Sequence, residues 1–441
     1  MIAAVPAAAP ALIVSPAGDA VVFGIVGCGV RGQYLLGHCN NIPSARCSAL
    51  CDPNEASLAQ AQRASRHRPR GVKDYRQLLA APEIQAVVVA TPLHLHFPIV
   101  RDALLAGKHV FCENTLVFRP EEVRALRTLA AERDQVVQVG LQRRYSKFYQ
   151  TARQMAAKGF LGDVTNIHAQ WHRNTGWTMR PDTPREENWR LFREFSGGLT
   201  SELASHQIDV ANWVFNDVPE FVTGVGSLDW KKDGRDTYDS IALIFRYPEG
   251  RQLTLTSLCN NRHLPLFRGE RNECGEMLMG TEGTIQLTIG TGEEPAFGLW
   301  FYDPSAPKVS KAEAQKEFAR AAGATLGSSM GGVRAMPILL ERDQFTGDES
   351  FLQRELKWSR RWLYSKGIMV PVEDRHPVRA QLEGFLECCR SGTRPKANLE
   401  AGLGTSTAVI LANRAMDEGR RVPSSEMDQL GRSGARPPRR I

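Results

Sequence analysis

Val21-Val22-Phe23-Gly24-Ile25-Val26-Gly27-Cys28-Gly29-Val30-Arg31-Gly32 is the stretch whose reading decides the fold. A β-branched apolar run enters a G-x-G-x-x-G turn, and Gln33-Tyr34-Leu35-Leu36 leaves it with helical spacing. Strand, glycine turn and helix in that order form the dinucleotide-binding fingerprint in its required context. Gly27 allows the tight turn, Gly29 lets the backbone approach a pyrophosphate, and Gly32 lets the helix pack on the strand. With Cys28, Val30 and Arg31 between them, these residues are the predicted phosphate cradle at a helix N-terminus, where free N–H groups and the dipole favour negative charge.

Asp52 closes the next apolar run, Ala49-Leu50-Cys51, about 20 residues beyond Gly32, where the fingerprint places a ribose-binding acid. A carboxylate there accepts bonds from a 2′-hydroxyl and repels a 2′-phosphate. The expected cofactor is therefore NAD, with Arg31 the residue that could still attract a 2′-phosphate. Further apolar runs follow at Ala86–Ala90, Lys108–Cys112 and Val136–Gly140, separated by helical patterns at Pro53–Arg66, Pro98–Ala106 and Pro120–Arg133. Strands alternating with helices predict a doubly wound parallel sheet, an α/β Rossmann domain over 21–142. Such sheets bind ligands at the carboxyl ends of their strands, where Asp52, Thr91, Pro92, Glu113 and Gln142 fall.

Beyond Leu141 the alternation ends. Tyr145–Lys158 reads as an amphipathic helix and Val164–Trp171 as an alternating strand, with later strands at Phe221–Ser227, Ser240–Tyr247, Gln252–Leu258 and Met277–Leu287. The pattern predicts an α+β second domain over 143–425 built on a mostly antiparallel open sheet. Within it, residues of about 305–370 read as a charged, mainly helical insertion, and two helices at Val378–Arg390 and Ala401–Glu418 close the fold. A segment 1–20 precedes the first strand and a basic tail, 426–441, follows the last helix.

At 441 residues, 42 % hydrophobic and 23 % charged, the chain has the composition of a two-domain soluble protein. Its formal charge is +7, but four arginines in the last eleven residues carry it, and +3 remains without them. A body so close to neutral argues against nucleic acid as a partner. Residues 3–17 are apolar and rich in Ala and Pro, lack a basic start and are too short to span a bilayer. They resemble the end of an export leader, so a periplasmic location is the alternative to a cytoplasmic one. Nine cysteines without zinc spacing read as free thiols in a reducing compartment. The His94-Leu-His96 pair has no partner ligands at useful spacing, so no metal site is expected.

Ser201-Glu202-Leu203-Ala204-Ser205-His206-Gln207-Ile208-Asp209 is the candidate stretch for acid–base chemistry, and its spacing equally fits a solvated helix face with a capping histidine. On an α-helix Glu202, His206 and Asp209 line one face. An imidazole with a free pKa near 6.5 suits proton removal from a hydroxyl, and a carboxylate one turn away can orient it. Around this segment lie Trp171, His172, Arg173, Trp177, Arg180, Trp189 and Arg193. Aromatic faces with forked donors suit polyhydroxylated rings, and the same residues could equally pack a domain junction.

Gly107-Lys108-His109-Val110-Phe111-Cys112-Glu113-Asn114-Thr115, with Thr91-Pro92 and His96 upstream, resembles the glucose–fructose oxidoreductase/inositol dehydrogenase/MocA family. Gly140-Leu-Gln-Arg-Arg-Tyr145, Gly197-Gly198 through His206-Gln-Ile-Asp209, and Gly280-Thr-Glu-Gly283 extend the resemblance to roughly 21–422. It implies a hydride transfer from a secondary hydroxyl of a sugar, inositol or glycoside to NAD, in a homo-oligomer. His206 resembles the family's general base, Glu202 its acid partner, Asp209 a hydroxyl ligand and His96 a position near the cofactor; Arg143, Tyr145 and His172 complete the expected substrate contacts. One departure stands out. Where the family has Glu-Lys-Pro, this chain has Glu113-Asn114-Thr115, so a neutral donor replaces the lysine that stabilises alkoxide charge. Arg143, Arg144 and His172 are the candidate substitutes. Two alternatives stand beside the dehydrogenase: a redox-assisted glycosidase of the same family, and an NAD-binding sensor or assembly protein without turnover.

Overall fold

The β-branched runs pair as the alternation requires. In the computed structural model β1 (Val21–Val26) lies between β2 (Ala45–Cys51) and β4 (Ala86–Val89). With β3 (Arg70–Val72), β5 (His109–Cys112) and β6 (Val137–Val139) they make a parallel sheet of order β3-β2-β1-β4-β5-β6. Helices α1 (Val30–Cys39), α2 (Glu55–Ala64), α3 (Tyr75–Leu79), α4 (His96–Leu105) and α5 (Pro120–Ala131) cross between the strands. Strands buried on both faces need apolar side chains throughout, which is why β4 and β5 read as unbroken runs. The strand order reverses between β1 and β4, and that switch point opens the crevice in which such sheets hold ligands. The structure describes residues 20–172, 177–259, 274–289, 296–303, 334–365, 369 and 371–427. Residues 1–19, Arg173, 304–333 of the expected insertion and most of the basic tail lie outside them.

The second half forms a mixed, mostly antiparallel sheet of nine strands, in the order β14-β13-β12-β11-β7-β10-β9-β8-β15. Its strands are β7 (Val164–His172), β8 (Phe221–Ser227), β9 (Ser240–Arg246), β10 (Gln252–Leu258), β11 (Cys274–Gly280), β12 (Gly283–Ile289), β13 (Phe297–Tyr302), β14 (Arg334–Pro337) and β15 (Val422–Pro423). Only β7 and β10 pair in parallel. Three features differ from the sequence reading. The expected strand Met277–Leu287 is a hairpin, because Thr281-Glu282 turn the chain between β11 and β12. Strand β13, between unassigned stretches, escaped notice. The insertion is not all helical: β14 extends the sheet before α8 (Phe351–Ser365).

Helix α6 (Lys147–Ala157), α7 (Ser205–Phe215) and the long α10 (Leu399–Glu418) cover one face of this sheet. The core beneath them runs through Ile167, Ala169, Leu243, Phe245, Leu255 and Leu278, with Ala408, Leu411, Ala412 and Ala415 above. Helix α9 (Pro377–Ser391) goes back to the parallel sheet instead. Its Val378, Leu382 and Phe385 pack with Phe23, Leu35 and Leu36, and Phe385 meets Phe111 edge to face at 5.8 Å. Because α10 also presses Gly402 against Val139 of β6, one helix packs on both sheets, and α7 meets the loop after β5 through Ser205 and Asn114 and the turn after β6. Among the described residues no helix is long and apolar enough to cross a membrane.

Candidate active site

The glycine turn has the geometry its sequence demands. Gly27 has φ +95°, and a Cβ there would lie 2.5 Å from the carbonyl oxygen of Ala90. A Cβ on Gly32 would stand 1.8 Å from the Gly27 carbonyl oxygen, so the helix cannot pack this close with any larger residue. A Cβ on Gly29 would meet nothing within 4 Å; the space it faces is open. Val30, the first residue of α1, is 91 % exposed, an apolar side chain left bare at the helix N-terminus. Asp52 accepts bonds from the N–H groups of Cys28 (2.7 Å) and Asn54 (2.8 Å), so its carboxylate braces the turn. The Cys28 thiol is buried beside it; burial, then the Asp52 charge, pushes it up to about 12, and it is chemically inert.

Arg31 reaches across the strand ends to Glu113 at 2.9 Å. Asp52 follows β2 and Glu113 follows β5, on opposite sides of β1, so Arg31 leans toward Glu113 and away from Asp52. His96 is 2 % exposed, and its two ring nitrogens face the main-chain oxygens of Thr115 (2.8 Å) and Thr91 (3.0 Å). Burial keeps the ring neutral, so its one N–H donates to one of these oxygens while the other nitrogen only faces its carbonyl, and the ring sits between the loops after β4 and β5. Pro92 begins the single turn Leu93–Leu95 in that first loop.

Glu113-Asn114 meets α7 where the two halves touch. The Asn114 amide donates to the Ser205 hydroxyl at 2.6 Å, and Ser205 donates onward to the Ser201 carbonyl at 2.6 Å. His206 follows directly, its ring 5.5 Å from that of Trp171. Burial drives the His206 pKa well below its ordinary value, and the Arg143 and Arg31 charges add to that, so the imidazole is neutral and keeps an unprotonated ring nitrogen, as a weaker base than a free imidazole. Among the described residues, the buried polar atoms without a hydrogen-bond partner include Thr91 Oγ1, Asn114 Oδ1, Thr115 Oγ1, Gln142 Oε1 and His206 Nδ1. They come from the loops after β4, β5 and β6 and from α7. Together with the open face of Gly29 and bare Val30, this arrangement fits a bound dinucleotide.

Several expected site residues do other work. Glu202 makes no bond to His206; it takes one from Arg190 Nε (3.0 Å) and one from Ser196 (3.2 Å). The reason is local: Thr200–Ala204 winds as a π-helical turn, in which i aligns with i+5, so the α-helical i, i+4 argument fails there. Asp209 is not free for substrate. It is 1 % exposed and takes three contacts of 2.8–3.1 Å from the Arg144 guanidinium, plus one from Thr405 at 3.2 Å. That pairing also removes Arg144 as a spare cation.

Arg143 lies under the site, over the Trp171 ring, and donates to the Tyr149 hydroxyl at 2.6 Å. Tyr149 donates in turn to Glu276 at 2.5 Å. Tyr145 is 7 % exposed, bonded to Gln138 (2.8 Å) and packed on Gly384 of α9. His172 is fully buried at the end of β7, where burial lowers its pKa to about 4. Asp209 is held by Arg144 and Tyr145 by Gln138, whereas Arg143 Nε and both ring nitrogens of His172 are buried without a hydrogen-bond partner among the described residues. Sequence reading missed Ser205 and Arg190; the Ser205 signal is the serine one residue before a candidate base, whereas nothing in the spacing marks Arg190. Among the described residues no group of His, Cys, Asp and Glu could hold a metal ion.

The oxidoreductase family with an NAD-binding Rossmann fold matches residues 21–141, and the GFO/IDH/MocA C-terminal domain matches 149–286. An inositol 2-dehydrogenase of Rhizobium meliloti (strain 1021) is 25 % identical over 279 residues, 62 % of this chain and 79 % of that protein. A glycosyl hydrolase family 109 protein of Shewanella sp. (strain ANA-3) is 30 % identical over 197 residues, 42 % of this chain and 43 % of its own. The chain spans less than half the length of the first curated relatives it matches, 36 % and 43 %. A levoglucosan dehydrogenase solved with NADH and levoglucosan shares the fold over 92 % of this chain and 99 % of that one, with a TM-score of 0.68 and 18 % identity. In both its halves the chain belongs to the GFO/IDH/MocA oxidoreductase family, and its first half is the NAD-binding Rossmann domain.

Proposed function

We propose that this chain oxidises a secondary hydroxyl of a sugar or polyol, with His206 as general base. The observation that carries the reading is the junction of Glu113-Asn114 with Ser205-His206 at the carboxyl end of the parallel sheet. NAD supplies the hydride acceptor when bound. Gly27–Gly32 hold its phosphates, Asp52 its adenosine ribose, and Thr91, Glu113 and Gln142 its nicotinamide end. His206 takes the hydroxyl proton on its ring. Asn114, fixed by Ser205, offers a neutral hydrogen bond to the reacting oxygen. A neutral donor is about half as strong as a charged one, so proton removal carries more of the barrier here than in relatives with a lysine. The chain's free thiols favour a reducing compartment, and copies of it pair through the open face of the nine-stranded sheet.

The test is NADH formation at 340 nm with NAD and a panel containing myo-inositol, levoglucosan and common aldoses. Stoichiometric NADH supports the reading; tight NAD binding with no turnover on the panel favours the sensor. The glycosyl hydrolase relative favours one other reading, a glycosidase in which the hydride is taken and returned. Sugar release from a glycoside without net NADH would identify it.

A further inference from the structure

Helix α8 (Phe351–Ser365) carries large apolar side chains on the side it turns to solvent. Phe351 is 80 % exposed and Trp358 61 %, and Leu352 and Leu356 are half or more exposed. Helical spacing sets Phe351 and Trp358 along one line and Leu352 and Leu356 along the next, with Glu355 between the two lines. The opposite side is fastened down. Lys357 reaches Glu349 (2.8 Å) and the Gln344 carbonyl (2.6 Å), and Arg360 pairs with Asp343 (3.1 Å). Arg361 donates to the Asp343 carbonyl (2.7 Å), and buried Tyr364 donates to the Asp343 carboxylate (3.1 Å). The helix therefore holds its apolar side out as a fixed surface. It lies in the expected insertion, outside both family-matched stretches.

Single exposed apolar residues are ordinary, but four large ones on about two turns of one helix make a contiguous patch, the mark of an interaction site. The charges beside it say what covers it. Lys357, Arg360 and Arg361 are spent on the chain's own acids and carbonyls, so the patch lacks the cationic rim that draws a helix to an anionic membrane. Arg354 and Glu355 stay exposed, and among the described residues neither makes an ion pair. Adjacent residues of a helix do not face each other, so they cannot satisfy one another within one copy. A wholly apolar partner would strand the Glu355 charge. One acid and one base among apolar groups instead match the same face turned end for end.

We propose that α8 is an interface between two copies of this chain, paired antiparallel about a two-fold axis and separate from the open sheet face. One register satisfies every exposed group. With the axis between Arg354 and Glu355, Phe351 lies against Trp358 of the partner subunit and Leu352 against Leu356 of the partner subunit. Arg354 then meets Glu355 of the partner subunit. Each pair occurs twice, as a two-fold contact requires. The area is sufficient. A whole aromatic side chain buries about 150–250 Å², so Phe351 and Trp358 of two copies, at their exposures, cover roughly 400–700 Å² before the leucines count. That is an apolar core for an interface of about 1,200–2,000 Å².

Sedimentation velocity and light scattering of the full chain at micromolar concentration test the interface, with circular dichroism to confirm folding. The parent should be a tetramer if copies also pair through the sheet and a dimer if they do not. Trp358→Glu and the milder Leu352→Gln/Leu356→Gln should each halve that mass with melting temperature and NAD affinity nearly kept. Arg354→Glu and Glu355→Arg should each raise the dissociation constant about tenfold or more by setting like charges opposite, and Arg354→Glu/Glu355→Arg together should restore it. A mass that neither apolar variant changes overturns the proposal, and a double swap no better than the singles overturns the antiparallel register. A monomeric parent also overturns it. If Trp358→Glu then melts far lower, the face is covered within its own chain; if phosphatidylcholine/phosphatidylglycerol vesicles sediment the parent but not Trp358→Glu, a membrane covers it.

Discussion

Asp209→Asn separates a structural role from a substrate role most sharply. In the structure Asp209 is 1 % exposed and faces Arg144 through three contacts of 2.8–3.1 Å, with Thr405 on the same oxygen. Asparagine keeps the shape and one acceptor but turns an N–H₂ toward the guanidinium and leaves a buried positive charge without its counter-ion. Breaking one side of a buried ion pair costs about 3–5 kcal/mol. For domains of this size each kcal/mol lowers the melting temperature by about 2–4 °C. The expected loss is therefore roughly 6–20 °C. The matched change Asp209→Leu with Arg144→Met removes both charges and should recover most of it, since apolar replacement of a buried pair is often neutral. Urea unfolding and calorimetric melting of the three proteins give these numbers, and KM is measured on each well below its transition. An Asp209→Asn protein as stable as the parent, with KM raised tenfold or more, would show that Asp209 binds substrate and that the pairing with Arg144 is incidental.

Other substitutions test neighbouring parts of the account. Gly32→Ala should disorganise the turn and abolish NAD binding, because its methyl would stand 1.8 Å from the Gly27 oxygen, whereas Gly29→Ala, in open space, should fold normally and lose NAD affinity by an order of magnitude; circular dichroism with NAD calorimetry tells them apart. Asn114→Lys should raise kcat by restoring a charged donor beside the reacting oxygen, and a tenfold loss would mean that the Ser205-anchored amide suits this site better. Glu202→Gln should leave the acid limb of the pH–rate profile in place, because Glu202 is bonded to Arg190 and Ser196 and not to His206. A partner carboxylate would raise the histidine pKa, and its loss would move that limb to lower pH by a unit or more, an outcome that contradicts the geometry.

What was legible in the sequence follows from how local each interaction is. Gly27 and Gly32 could be read because a single carbonyl, Ala90 or Gly27, forbids a side chain there, and the motif carries that constraint in six residues. The parallel sheet could be read because burial on both faces leaves unbroken apolar runs. Glu202 was misread because helical spacing assumes α winding, and the π turn at Thr200–Ala204 changes the register without a marker in the sequence. Asp209 was misread because its partner Arg144 lies 65 residues away, where no periodicity reaches. His96 and Tyr145 were read as a cofactor and a substrate contact; the folded chain sets His96 against the Thr91 and Thr115 carbonyls and bonds Tyr145 to Gln138, partners no local spacing announces.

The central claim is that a neutral His206 beside Asn114 takes the substrate proton, and His206→Ala tests it most directly. Burial first, then the Arg143 and Arg31 charges, hold its pKa below 6.5, so the base form persists as pH falls through that value and is lost only at the lower, folded pKa. On the sugar or polyol that gives the fastest NADH formation, the parent rate should stay level from pH 8 down past 6.5. His206→Ala should lower kcat by the 10²–10⁴-fold typical of a lost general base, with NAD affinity and melting temperature nearly unchanged. Undiminished kcat per folded molecule in His206→Ala would contradict the account.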